Sequence, residues 1–169
     1  RRGDLHQLPY TNKPPITLIP FVEFEAIGDA AFSAQIPSGM FQDEAQDTLT
    51  YSLSANAPAW RVIDPLTGQL TGTPPNGGAD LSLEIIAADS WGQRTTAWLT
   101  VNVRNVLRGT DGADVLAGTQ FRDDLHGGAG NDVLNGAGAG DRLYGGEGDD
   151  IYVVNDPSQQ VIELAGGGD

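Results

Sequence analysis

Residues 127–135 read GGAGNDVLN, and this short stretch is one of five consecutive nine-residue rows that run from Gly109 to Val153. Every row begins with glycine, carries aspartate at its sixth place and has a large apolar residue at its eighth place. The rows, numbered one to five in chain order, are GTDGADVLA, GTQFRDDLH, GGAGNDVLN, GAGAGDRLY and GGEGDDIYV. A repeat at a fixed period predicts a solenoid, in which each row stacks on its neighbours.

The places within a row indicate what each residue does. Glycine at places one, two and four favours a tight turn whose backbone carbonyls can point in one direction. The aspartate at place six adds a carboxylate, and a mixture of carbonyl and carboxylate oxygens favours Ca²⁺ over Mg²⁺. The apolar residue at place eight is expected to point inward from a short strand. The pattern therefore predicts a calcium-binding turn followed by a strand.

The rows resemble the RTX (haemolysin-type calcium-binding) nonapeptide repeat, GGxGxDxUx, which rows three and five match in full. The resemblance covers residues 109–153 and implies a parallel β-roll in which two rows make one coil. The turns of rows one, three and five then stack along one edge of the roll, and those of rows two and four along the other. Calcium is implied between stacked turns, bound by backbone carbonyls and by the sixth-place aspartates.

Carried onto this chain, the resemblance implies about three calcium ions in the roll. The first site uses Gly128, Gly130, Asp132, Gly145, Glu147 and Asp150. The second site uses Thr110, Gly112, Asp114, Gly127, Ala129 and Asp132. The third site, on the opposite edge, uses Thr119, Phe121, Asp123, Gly136, Gly138 and Asp141. Phe121 and Ala139 stand where the repeat has its fourth-place glycine, so the third site is expected to be the weakest.

Folding of this roll is expected to depend on calcium. Ordering about 60 residues costs on the order of 1–2 kcal/mol each in backbone entropy, and glycine costs more than most residues. Five inward apolar side chains cannot offset that cost, so the free energy of calcium binding becomes free energy of folding. A disordered acidic linker is the alternative interpretation, but three places that keep their phase over five rows argue against it.

After the rows, the sequence predicts a strand, a polar turn at Asn155 to Ser158 and a second strand at Gln160 to Leu164, packed beside the last coil. Before them, short runs that alternate apolar and polar residues predict a β-sandwich. The predicted sandwich strands are 31–36, 48–53, 69–73, 81–88 and 95–103. The residues expected to point inward in the last two runs are Leu81, Leu83, Ile85, Ala87, Ala97, Leu99, Val101 and Val103.

The stretches FQDEAQDTLTYSL, DPLTGQLTGTP and LEIIAADSWGQ resemble the dystroglycan-type cadherin-like domain, also called the "Putative Ig domain", over about 90 residues. Four acids, Asp43, Glu44, Asp47 and Asp89, fall where cadherin-type domains cluster acids at one pole. The resemblance therefore implies that a further calcium ion in the sandwich is possible, and solvated loop acids are the alternative. The whole chain is thus expected to be all-β, with an Ig/cadherin-like β-sandwich followed by a calcium-binding parallel β-roll.

Composition indicates where the two parts meet. Residues 109–169 carry 12 acidic and 2 basic residues, whereas residues 1–108 carry 11 acidic and 7 basic residues. The sequence therefore predicts a linker at 1–12, the sandwich at 13–105 and the roll with its following strands at 106–169.

Composition also excludes several classes of function. The net charge of −14 argues against a nucleic-acid partner. The absence of cysteine excludes disulfides, thiolate metal sites and a cysteine nucleophile. No apolar run approaches the roughly 18 residues of a membrane span. No nucleophile elbow or zinc-binding helix motif is present, which predicts a protein that is not an enzyme.

The sequence predicts a calcium-stabilised extracellular or cell-surface module of a large secreted RTX adhesin or surface protein, exported by type I secretion. Its further partners would be a carbohydrate, a cell-surface ligand or a second copy of the chain. One alternative is an accessory or secretion module of an RTX hydrolase, protease or toxin whose catalytic domain lies outside this chain. Another is a subunit of a calcium-dependent extracellular filament, because an uncapped roll has open strand edges.

Overall fold

The structure is a computed structural model that describes residues 12–44, 46–138 and 140–163. Every regular element in these residues is a β-strand, which confirms the all-β prediction. Among the same residues there is no long apolar helix of the kind that crosses a membrane. Most of the predicted linker at 1–12, the fourth-place Ala139 and Leu164 at the end of the last predicted strand lie outside the described residues.

The first part of the chain forms a β-sandwich. Its strands are β1 (Ile16–Thr17), β2 (Phe21–Ile27), β3 (Phe32–Gln35), β4 (Phe41–Gln42), β5 (Thr50–Leu53), β6 (Arg61–Ile63), β7 (Gln69–Gly72), β8 (Leu81–Ala88) and β9 (Arg94–Arg108). One sheet has the order β2-β9-β8-β5, with β2 parallel to β9 and the other pairs antiparallel. The facing sheet has the order β3-β7-β6, and β1 pairs with β4.

The sandwich core lies between these two sheets. Strand β8 supplies Leu83, Ile85 and Ala87, because alternate residues of a strand point to the same face. Strand β9 supplies the four predicted inward residues from Ala97 to Val103, all fully or almost fully buried. Leu81 is only partly buried and packs at the margin of the cluster.

Strand β9 continues beyond the sandwich and becomes the first strand of the roll. Its residues from Trp98 to Arg104 pair with β2, and its residues from Asn105 to Arg108 pair in parallel with the next part of the chain. The predicted division between residues 105 and 106 therefore lies inside one continuous strand. The two parts share backbone hydrogen bonds along β9.

The second part of the chain is a parallel β-roll of two sheets. Its strands are β10 (Val115–Ala117), β11 (Asp123–Ala129), β12 (Val133–Asn135), β13 (Arg142–Glu147), β14 (Ile151–Val153) and β15 (Gln160–Ile162). One sheet has the order β10-β12-β14, and the other continues from β9 as β11-β13-β15. Val115 pairs with Val133 and Val133 with Ile151, so successive strands of a sheet are two rows apart in the sequence. This register confirms the predicted coil of two rows.

The eighth-place residues form the core of the roll. Leu125, Leu134 and Leu143 are fully buried, and Leu116 and Tyr152 are partly buried against them. The turns that precede the strands lie along two edges. We call the turns of rows one, three and five (109–114, 127–132 and 145–150) the odd edge, and those of rows two and four (118–123 and 136–141) the even edge.

Candidate metal centres

Each sixth-place carboxylate folds back against the glycine that opens its own row. A Cβ atom on Gly127 would overlap the Oδ2 atom of Asp132, and a Cβ atom on Gly145 would overlap the Oδ2 atom of Asp150. Neither glycine has a positive φ. Glycine at place one is therefore required by the room that the carboxylate needs, not by the turn conformation that the sequence suggested.

Places two and four of rows three and five do have the left-handed backbone that favours glycine. Their φ angles are +115° at Gly128, +102° at Gly130, +111° at Gly146 and +120° at Gly148. Rows one and two have other residues at place two, and none of their described second- or fourth-place residues has a positive φ. Both rows that match the repeat in full thus have this conformation at places two and four, and row four has it at place two, where φ is +66° at Ala137.

The sixth-place aspartates of the odd edge form a hydrogen-bonded ladder. The Oδ1 atom of Asp132 accepts from the backbone N–H of Asp114 at 2.8 Å, and the Oδ1 atom of Asp150 accepts from the N–H of Asp132 at 2.8 Å. Each carboxylate is therefore fixed by the coil before it. The Oδ2 atom of each carboxylate takes no part in this ladder.

That second oxygen has no hydrogen-bond partner in either of the two aspartates. The Oδ2 atoms of Asp132 and Asp150 are both buried and accept no hydrogen bond. An unpaired buried carboxylate oxygen costs several kcal/mol unless a cation or a donor compensates it. The residues of the first predicted site therefore fit a hard divalent cation, which takes oxygen ligands alone.

The turns that carry the first site are held side by side. The N–H of Gly130 donates to the carbonyl oxygen of Glu147 at 2.7 Å, and the N–H of Asp149 donates to the Oδ1 atom of Asn131 at 3.0 Å. The Glu147 carbonyl, one of the predicted ligands, keeps a second lone pair for a metal. The structure thus brings the predicted residues of rows three and five together.

The second predicted site shares Asp132 but differs at its other carboxylate. The Oδ2 atom of Asp114 accepts from the N–H of Thr110 at 2.7 Å and from the Thr110 hydroxyl at 2.8 Å. These two hydrogen bonds lower the pKa of Asp114. Threonine stands where the repeat has its second-place glycine, so this site has one unpartnered carboxylate oxygen where the first site has two. Its Thr110 carbonyl also accepts from the N–H of Ala129 at 3.2 Å.

The third predicted site, on the even edge, has a different character. The Oδ2 atom of Asp123 accepts from the N–H of Thr119 at 2.6 Å and from its hydroxyl at 3.0 Å. The Oδ2 atom of Asp141 accepts from the side chain of Gln159 at 2.7 Å. Both carboxylates of this edge therefore already have donors. Burial raises the pKa of Asp141, and the hydrogen bond from Gln159 acts against that rise.

The sequence interpretation missed Gln159, although a signal was present. It lies two rows after Asp141, the spacing of one coil, but the row that contains it (154–162) has neither an opening glycine nor a sixth-place aspartate. Strand β15 nevertheless pairs with β13 in the regular register, Arg142 with Gln160. Residues 154–162 are therefore a sixth row in space, with Gln159 at its sixth place.

Three of the four acids singled out in the sandwich come together. Asp43, Asp47 and Asp89 each place a carboxylate oxygen within 4.8 Å of the others. Asp43 and Asp89 are buried and Asp47 is half-buried. The fourth acid, Glu44, is exposed and forms an ion pair of 2.5 Å with Lys13 instead.

The loops around this cluster hold its carboxylates in place. The Oδ1 atom of Asp89 accepts from the backbone N–H groups of Trp91 at 2.9 Å and of Gln93 at 2.8 Å, and its Oδ2 atom accepts from the Asn12 side chain at 2.7 Å. Although burial acts in the opposite direction, these hydrogen bonds lower the pKa of Asp89. The Oδ2 atom of Asp47 and the Oδ1 atom of Asn12 are buried and accept no hydrogen bond. The Oδ1 atom of Asn12 is therefore a further candidate oxygen ligand for a cation, which the sequence interpretation did not include.

The fold can be compared with solved structures of cadherin ectodomains. The human Desmocollin-1 ectodomain is 16% identical over 55% of this chain and 19% of that chain, with a TM-score of 0.44. Drosophila N-cadherin EC1-4 is 18% identical over 59% of this chain and 30% of that chain, with a TM-score of 0.44. Human Protocadherin-24 EC1-2 is 18% identical over 62% of this chain and 54% of that chain, with a TM-score of 0.44. This chain thus matches between about a fifth and about a half of the length of each.

Comparison with protein families assigns both parts of the chain. No curated protein matches this sequence. Residues 14–104 match the family described as "Putative Ig domain". Residues 104–120, 108–140 and 118–152 match the family described as "RTX calcium-binding nonapeptide repeat (4 copies)". The chain therefore belongs to the "Putative Ig domain" family in its sandwich and carries RTX calcium-binding nonapeptide repeats in its roll.

Proposed function

We propose that the protein is a non-enzymatic calcium-binding module whose roll takes up calcium along the odd edge. The observation that carries this proposal is the pair of buried, unpartnered Oδ2 atoms on Asp132 and Asp150. The ion between rows three and five would be held by these carboxylates together with the predicted carbonyls of the two turns. The ion between rows one and three binds more weakly, because Thr110 already occupies the Oδ2 atom of Asp114.

Calcium binding and folding of the roll are one process in this proposal. The roll has three fully buried leucines to set against the entropy of its glycine-rich turns. Its carboxylates stack one coil apart, and neighbouring strands of a sheet are only about 4.8 Å apart. Like charges at that distance repel strongly where water is excluded. A bound divalent cation reverses the sign of this interaction, so the folded roll forms when the ion binds.

The test is calorimetric calcium titration of Asp132→Ala against Asp149→Ala. Asp132 faces a stacked carboxylate in the coil before it and in the coil after it, so its loss should remove both odd-edge ions. Asp149 lies in the neighbouring turn and is exposed, so its substitution makes the same change in charge without removing a ligand. Asp149→Ala should bind as many ions as the wild-type protein. If Asp132→Ala does so as well, the odd-edge proposal is wrong.

A further calcium site in this proposal, in addition to the two on the odd edge, is the Asp43, Asp47 and Asp89 cluster of the sandwich. Support comes from the unpartnered oxygens of Asp47 and Asn12, which lie with the carboxylates at one pole. Asp47→Asn should remove one ion while the calcium-induced change in the far-ultraviolet dichroism of the protein, which reports folding of the roll, stays the same. Glu44→Gln is the matched control, since Glu44 is paired with Lys13 outside the cluster. Equal ion counts in Asp47→Asn and the wild-type protein would exclude this site.

The setting that suits such a module is outside the cell. Extracellular calcium modules bind with Kd values of about 10⁻⁴–10⁻³ M, so the roll would stay unfolded in calcium-poor cytosol and fold after export. We therefore propose a segment of a secreted or surface-attached RTX adhesin, exported by type I secretion, with a carbohydrate or cell-surface ligand as its partner. Expression of the protein with and without a type I export machinery, followed by its recovery from the medium, tests the route.

Two alternatives use the same calcium sites. In the first, the module accompanies a catalytic domain of a secreted hydrolase, protease or toxin, and sequencing of the reading frame around this segment would reveal that domain. In the second, it is a filament subunit. The exposed apolar side chains Val115 and Ile151 on the β10-β12-β14 sheet favour contacts between copies. Sedimentation with and without calcium tests that possibility, because a filament grows only when the roll is folded.

A further inference from the structure

On the even edge of the roll, a protein side chain donates to the carboxylate oxygen that corresponds to the unpartnered Oδ2 atoms of the odd edge. Gln159 occupies the sixth place of row 154–162, one coil after Asp141. Its Nε2 atom donates to the Oδ2 atom of Asp141 at 2.7 Å and to the carbonyl oxygen of Gly138 at 2.8 Å. Both acceptors belong to the set of oxygens that the repeat pattern assigns to a third calcium ion.

The same amide is fixed from behind by the turn that carries it. The Oε1 atom of Gln159 accepts from the backbone N–H of Asn155 at 3.0 Å and from that of Asp156 at 3.3 Å. A Cβ atom on Gly136 would lie 2.8 Å from the Nε2 atom, so the amide fills the room that this glycine leaves. Gln159 thus uses its donor and its acceptor at once, which holds it in a single position.

The remaining carboxylate oxygens of the even edge also have donors. The Oδ1 atom of Asp141 accepts from the backbone N–H of Asp123 at 3.0 Å. Both oxygens of Asp123 accept from the Thr119 hydroxyl, at 3.3 and 3.0 Å, and Oδ2 also accepts from the Thr119 N–H. The two edges therefore differ in one respect. On the odd edge two buried oxygens accept no hydrogen bond. On the even edge each of the four carboxylate oxygens has a protein donor, and the two oxygens of Asp123 share the single hydrogen of the Thr119 hydroxyl.

We propose that the even edge binds no calcium and that the Gln159 amide takes the place of the ion there, because it bridges the Asp141 carboxylate and the Gly138 carbonyl. The roll then takes up ions on one edge only. The proposal rests on calcium binding at the odd edge.

The first test counts ions in Asp141→Asn by calorimetric titration. The expected number of ions in the roll equals that of the wild-type protein, because Asp141 is not a ligand. One ion fewer overturns the proposal. The odd-edge proposal fails separately, when Asp132→Ala keeps every ion, so the two failures are read from different variants.

The second test uses Gln159→Ala and does not depend on how Asp141→Asn folds. Without the amide, the Oδ2 atom of Asp141 and the Gly138 carbonyl lose their shared donor. The loss of a hydrogen bond to a charged group should lower the thermal midpoint at saturating calcium by roughly 3–10 °C, with the number of bound ions unchanged. Gln160→Ala, which alters the exposed neighbour, should leave the midpoint in place. A lost ion or an unchanged midpoint in Gln159→Ala contradicts the proposal.

Discussion

At the scale of single residues, glycine performs two separate tasks in the turns of the odd edge. At place one it makes room for the sixth-place carboxylate, and at place two it adopts a left-handed backbone. Gly146 meets a conformational and a steric demand at once, because its φ is +111° and a Cβ atom there would overlap the carbonyl oxygen of Gly128 in the coil before. That carbonyl is one of the predicted calcium ligands.

Gly146→Ala should therefore weaken calcium binding as well as stability. A left-handed alanine costs about 1–2 kcal/mol, and displacement of the Gly128 carbonyl adds to that cost. Gly77→Ala is the control, since Gly77 also has a positive φ of +77° but no atom lies within 4 Å of the added Cβ. Calcium titration should show at least a tenfold weaker first site in Gly146→Ala and an unchanged one in Gly77→Ala. Equal affinities would mean that the steric contact with Gly128 does not matter.

At the scale of elements, strand β9 connects the sandwich to the roll without an interruption. Arg104 lies where the strand passes from one to the other, and its Nη1 atom donates to the Oδ1 atom of Asp124 at 3.2 Å and to the Gly140 carbonyl at 2.9 Å. The Asn76 side chain also accepts from the N–H of Val106 at 2.8 Å and donates to its carbonyl at 2.9 Å. A loop of the sandwich and a coil of the roll are thus both hydrogen-bonded to strand β9.

Arg104→Met should destabilise the roll by about 3 kcal/mol, because it leaves the buried carboxylate of Asp124 without its cation. Arg104 and Asp124 are each only 9% exposed, so water cannot replace the lost partner fully. The double variant Arg104→Met with Asp124→Asn should be less destabilised than Arg104→Met alone. Urea unfolding at saturating calcium measures both. A double variant that is as unstable as the sum of the single ones would show that the pair does not interact.

At the scale of the whole molecule, the two cores are separate although the strand is shared. The sandwich core contains thirteen buried residues, whereas the roll core contains three. We therefore expect the stability of the roll to depend on bound ions and that of the sandwich to depend on its own packing.

Calcium chelation should abolish amide-exchange protection in residues 109–163 and leave it in β8 and in β9 up to Val103. Amide exchange is the suitable measurement, because Trp91 and Trp98 are 70% and 53% exposed and their fluorescence would report little of the core. Addition of Mg²⁺ in place of calcium should not restore protection in the roll, since a small ion that demands octahedral geometry fits the mixed carbonyl and carboxylate turns poorly. Loss of protection in β8 as well would show that the sandwich also needs calcium to fold.

The sequence by itself determined the period of the roll, its inward leucines and the turns that match the repeat in full. These follow from residue type at fixed spacing, because the backbone repeats with every second row and each place keeps its surroundings. The pattern of alternation likewise identified β8 and the inward residues of β9. Where the same residue type recurs in the same repeated environment, the sequence pattern is enough to predict where its side chain lies.

Only the tertiary structure decided how the two parts join and how the two edges of the roll differ. Nothing in the local pattern shows that β9 continues past residue 105, or that β2 pairs with it in parallel, since strand pairing is set by packing between distant segments. Gln159 breaks the repeat pattern, so only its position one coil below Asp141 reveals its task. In the same way Asn12 meets Asp89 across 77 residues. Such contacts depend on where the folded chain places each side chain, and a sequence pattern carries that information only when the contact repeats.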